Sequence, residues 1–185
     1  MALFEFLMIL LSIIVGLGLA EILTGTAKLL RDGRQSAFSW AHTFVVASIF
    51  LALLQVFWES WGLRTIEEWT FPAMLLMLGS PVLLFLIAHI LFPGSRKYAD
   101  LGEYYFHRIR LLWSLAAMTV VIGVLFRPLA FDMPLLVSDN LSSAPSLVAC
   151  ILLATVQNRT FHNVMTPLVL LTILADTLAI SYFIS

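Results

Sequence analysis

The chain has 185 residues, 61% of them hydrophobic and 11% charged, with a formal net charge of −1. An ordinary soluble domain carries roughly 45–50% apolar and about 25% charged residues, so this composition excludes a water-soluble fold, and the near-neutral balance gives no footing for nucleic acid. Uncharged apolar runs near or beyond the ~18 residues that cross a bilayer point to an all-α, polytopic helical membrane protein, and the same runs exclude a β-barrel.

Apolar runs and their polar punctuation divide the chain into six spans, near 4–27, 39–58, 70–92, 106–127, 143–157 and 162–184, within one transmembrane domain over 1–185 that leaves no soluble domain. The first opens with "MALFEFLMIL", which lacks the positive start of a secretory signal, and reads as a retained span. Ser12, Gly16, Ala20 and Thr24 recur every four residues and form a stripe of small side chains suited to close helix packing. Glu21, between Gly18 and Gly25, is an intramembrane acid and hence a candidate proton or ion site. A purely structural role, reaching toward Lys28 or an interfacial partner, competes with it.

The second span carries His42 near its start and Gln55 toward its end. Antiparallel neighbours would bring Glu21 and His42 into hydrogen-bond range. Trp58, Trp61 and Trp69 form an aromatic belt at one boundary, with Trp40, Tyr98, Tyr104 and Tyr105 at the other. The third span holds "LGSPVLL", a helix breaker at its middle (Gly79, Ser80, Pro81), and His89 near its end. Glu67–Glu68 with Phe85 to His89 superficially resembles the glutamate and histidine elements of the CAAX-type intramembrane proteases. Pro72 stands where that pattern needs an arginine, and the doublet and His89 fall at opposite faces, so the resemblance carries no activity.

His107 begins the fourth span. The fifth is short: about 15 residues at 1.5 Å each cover ~22 Å of a ~30 Å hydrocarbon core, so it is either tucked against its neighbours or supplemented by a re-entrant piece within 128–145. Its lone cysteine, Cys150, reads as a small hydrophobe. His162 begins the sixth span, and Asp176 is its intramembrane acid, with Thr172 as a local partner and Arg127 as a candidate counter-ion.

Eight of the ten Lys and Arg residues (Lys28, Arg31, Arg34, Arg96, Lys97, Arg108, Arg110, Arg159) fall on one side and Arg64 with Arg127 on the other. The positive-inside rule then places the basic side in the cytoplasm and both termini outside, with a bacterial inner membrane as the expected location. Three spans followed by three more also permit an inverted repeat, although the two halves share no residue pattern.

All four histidines lie on the basic side. No metal motif accompanies them, no cofactor is expected, and a haem held by His42 and His89 is the weak redox alternative. Three functional readings follow. The leading one is a non-enzymatic membrane module, a homo-oligomer or an accessory subunit of a membrane complex, because no catalytic constellation is present. The second is a small proton-linked transporter or channel using Glu21, His42 and Asp176, with Gln55 as a further polar lining residue. The third is a haem or metal redox protein using the inner histidines.

Overall fold

A computed structural model of the chain describes residues 3–31, 39–66, 68–93, 100–132, 134–135 and 143–183, with side chains to residue 178. The described elements are helical throughout: α1 (Leu3–Arg31), α2 (Trp40–Ser60) with a short 3-10 turn (Trp61–Thr65), α3 (Phe71–Ile90), α4 (Leu101–Phe131), α5 (Ala144–Thr155) and α6 (Arg159–Phe183). Five of the six are long and apolar enough to cross a membrane, and α5 is a shorter apolar helix. Its 12 residues span only ~18 Å at 1.5 Å each. The short fifth segment is thus a real feature of the fold, and it packs along α4. The expected re-entrant piece falls largely on residues 133 and 136–142, outside the described residues.

Helix starts follow local chemistry. Thr70 Oγ1 accepts the Ala73 N–H at 3.3 Å, Asp100 Oδ1 accepts the Gly102 N–H at 2.9 Å, and Asn158 Oδ1 accepts the Thr160 N–H at 2.9 Å. Each uses a short polar side chain to satisfy an N–H that the first turn leaves open. Asp132 ends α4 in the left-handed region, φ 53°, a conformation Asp tolerates better than most residues.

The helix ends fall within a few residues of the sequence reading except in the fourth span. The fourth helix runs from Leu101 to Phe131 instead of 106–127, continuing through Pro128 and enclosing Arg127. The breaker at Gly79-Ser80-Pro81 lies inside a single helix, as the undivided third span implies. The helix α3 passes through Pro81 intact, and Ser80 Oγ donates across to Thr119 O of α4 at 3.3 Å. Gly79 lets α4 come close, since a Cβ there would stand 3.2 Å from Ile122. A proline ring is accommodated here because the neighbouring helix supplies packing and a polar tie.

The helix α3 packs most extensively on α1 and α4, α4 carries α5 on its far side, and α2 lies against α6 and α1. The inward face of α1 consists of Leu7, Leu11, Val15, Gly18, Ile22 and Gly25, and these join Leu53, Ile87, Leu91, Tyr105, Ile109 and Leu153 in one core. Large apolar side chains such as Leu17, Leu75, Val164 and Leu171 face outward, as they must on a surface solvated by lipid. The halves do not repeat each other. The α1–α3 contact is broad, whereas their counterparts α4 and α6 touch mainly through Tyr105, Phe106 and His162.

Candidate functional site

Where α3 ends, the carbonyls of Ile90, Leu91 and Phe92 have lost the N–H groups that a continuing helix would offer, and Pro93 stops continuation. Side chains from two other helices meet them. His42, only 2% exposed, places Nε2 2.8 Å from Leu91 O. A carbonyl oxygen only accepts, so Nε2 carries the hydrogen. Tyr104 of α4 donates its hydroxyl to Ile90 O at 2.7 Å. The Phe92 ring stands edge-on to the His42 ring at 5.7 Å and presses on Gly25 of α1, where a Cβ would collide with it. At this level α1 therefore meets an aromatic ring, and His42 is turned to α3.

Glu21 finds a different histidine from the one expected. Its Oε1 lies 3.3 Å from His89 Nδ1 across the α1–α3 contact. His42 stands at the Phe92–Gly25 level, about one turn of α1 from Glu21, and α1 packs more extensively along α3 than along α2, which decides the partner. The pair is on the rim of the bundle: the Glu21 side chain is 40% exposed and that of His89 64%.

The second buried histidine anchors the other half. His162, 0% exposed, donates Nε2–H to Val156 O at 2.8 Å, just past the end of α5. Its Nδ1 accepts from the Tyr105 hydroxyl at 2.7 Å, and that hydroxyl in turn accepts from Trp113 Nε1 at 2.9 Å. Every role in this chain is forced once the Val156 carbonyl is fixed as an acceptor. Around it, Arg159 lies over the Phe106 ring at 5.5 Å, and Gln157, with its amide oxygen facing α4, accepts from Arg110 Nε at 3.0 Å.

Known protein families, curated proteins and solved structures contain no match to this chain.

Both buried histidines do the same physical work: each caps a carbonyl that the end of another helix leaves open. Neither presents a free base to a cavity. The remaining candidates are dispersed. Gln55 donates Nε2–H to Glu59 Oε1 at 2.7 Å toward the tryptophan-rich end. Thr172 donates to Val169 O at 2.8 Å instead of to Asp176. Asp176 lies 14 residues beyond His162 on α6, which is ~21 Å along the axis. Glu21, His42 and Gln55 are thus each engaged elsewhere, by His89, Leu91 O and Glu59, and Asp176 is far along α6 from the basic end. For the haem alternative, His42 faces Leu91 O while His89 faces Glu21, so the two rings turn to different partners. Among the described residues no three His, Cys, Asp or Glu side chains gather closely enough to hold a metal.

Sequence reasoning placed Tyr104 and Tyr105 in an interfacial belt and missed their bonding. A signal existed for Tyr104, since Pro93 announces bare carbonyls that something must cap. For Tyr105 and Trp113, eight residues apart on α4, no sequence pattern names His162 as their partner.

The capping role of His42 predicts that His42→Leu lowers stability by about 1–2 kcal/mol, near the upper range for interhelical hydrogen bonds in membranes. The loss should localise to the end of α3, read as faster amide exchange at residues 87–91 with α1 exchange near wild type. Uniform acceleration across all helices would contradict it.

Proposed function

We propose that this chain is a non-enzymatic membrane module that works through helix packing, associating with a second copy of itself along the outward face of α1. The observation that carries the reading is the place of the small-residue stripe. Ser12, Gly16, Ala20 and Thr24 are all exposed on the bundle, and a Cβ built at Gly16 meets nothing within 4 Å. Close approach inside the fold is supplied instead by Gly18 against Leu53 and Gly25 against Phe92. A helix that uses one set of glycines internally and keeps a second small face open is suited to a neighbour of the small-xxx-small type. A second copy is favoured because such a stripe is self-complementary about a two-fold axis. The half-exposed Glu21–His89 pair starts three residues before Thr24 on the same helix, and covering it with protein removes polar side chains from the lipid face.

In this reading the basic end lies in the cytoplasm, and a reporter fused within 94–99 should remain there. Gly16→Leu tests association directly. It should shift the detergent-solubilised particle from a dimer to a monomer while the melting temperature of the monomer unit stays within a few degrees, because nothing inside the fold touches that position. A wild-type chain that is already monomeric, or an unchanged size in the variant, overturns the reading.

A further inference from the structure

We propose that the corner where α4 meets the α5–α6 link is a binding site for the phosphate of an anionic phospholipid headgroup, held by the guanidinium groups of Arg110 and Arg159. Two cations meet that corner from two elements, Arg110 from α4 and Arg159 from the start of α6. With the Gln157 amide turned so that its oxygen faces the guanidinium, Arg110 donates to it through Nε (3.0 Å) and Nη2 (3.3 Å), and Arg159, two residues beyond Gln157, lies over the Phe106 ring at 5.5 Å. Phe106 and Arg110 are one turn apart on α4, so both guanidinium groups belong to one surface. Both are exposed.

Two like charges on one surface favour a shared anion, and among the described residues neither guanidinium meets a carboxylate. The acid preceding Arg110 on that face of α4 is Glu103, seven residues earlier and ~10 Å along the axis. Arg110 spends two of its five N–H donors on Gln157, which leaves three free, and Arg159 offers all of its own. Planar guanidinium groups match phosphate oxygens bidentately. Because the amide and the ring hold them in place, less side-chain freedom is lost on binding than for a snorkelling lysine.

The depth favours a lipid as the source of the phosphate. The corner is level with the end of α5 and with the Tyr105–His162 bond, at the basic end where the chain also exposes Trp40. Interfacial aromatics and basic pockets between helices are where headgroups lie.

Native mass spectrometry of the full chain in detergent, titrated separately with phosphatidylglycerol, phosphatidylcholine and inorganic phosphate, tests this. The wild type should retain phosphatidylglycerol at about tenfold lower concentration than phosphatidylcholine, and R110Q/R159Q should lose that preference. Arg159→Gln alone, which removes only a contact to a ring face and so leaves folding intact, should weaken it severalfold and decides the matter if the double variant loses helicity. Equal retention of the two lipids by wild type, an unchanged preference in Arg159→Gln, or displacement of the lipid by equimolar inorganic phosphate would overturn the proposal.

Discussion

Replacing His162 with leucine should destabilise the protein by about 2–4 kcal/mol, the largest loss expected from removing a single polar side chain here. One interhelical hydrogen bond in a membrane averages ~0.6 kcal/mol and reaches ~1.7, so the prediction depends on His162 holding two and leaving two buried partners behind. The Tyr105 hydroxyl would lose its acceptor and the Val156 carbonyl its donor. Leucine is close to histidine in volume, so the loss reports polarity more than a cavity. Tyr105→Phe probes the same chain from the other side: it removes one hydroxyl and strands both His162 Nδ1 and Trp113 Nε1. The double variant should cost clearly less than the two singles added, by at least ~0.5 kcal/mol, because each already breaks the bond the other would break. Reversible unfolding in mixed micelles, followed by helicity, gives all three values. Additive losses would mean that the network is not coupled.

The asymmetry between what was legible in the sequence and what was not has a physical basis. Apolar run length fixes where helices lie, because lipid tolerates no unpaired backbone, so five spans and a short fifth segment were readable within a few residues. Depth was readable to about one turn, since position along a helix converts to height: Glu21 meets His89, and His42 stands near Gly25, four residues further along α1. Azimuth was not. Which way a helix faces depends on its neighbours, so Glu21 was assigned to His42 although the broad α1–α3 contact gives it His89. The small-residue stripe shows the same limit. Its four-residue spacing is plain, yet it lies on the outer face, while the inner one is marked by Leu11, Val15, Gly18, Ile22 and Gly25. That alternation of four and three residues is the seam pattern of packed helices, and it was present in the sequence. Partner side chains such as Tyr105 and His162, 57 residues apart, leave no local trace at all.

The glycine in that seam gives the second large effect. Gly25→Leu should cost about 3 kcal/mol, at the upper end for overpacking, because the new side chain has no space to enter. Even a Cβ at residue 25 runs into the Phe92 ring, and the ring cannot simply swing aside: it is braced edge-on by His42, whose Nε2 caps the carbonyl of Leu91, one residue before Phe92. Gly18→Leu should be milder, since a Cβ there stands 2.9 Å from the flexible end of Leu53, and a leucine tip moves more cheaply than a wedged aromatic. The decisive measurement is a size swap. If the collision is the cause, Phe92→Ala, itself destabilising through its cavity, should recover much of the stability lost by Gly25→Leu when the two are combined. A Gly25→Leu chain as stable as wild type would mean that α1 does not rest on the end of α3, and the Glu21–His89 pairing would go with it.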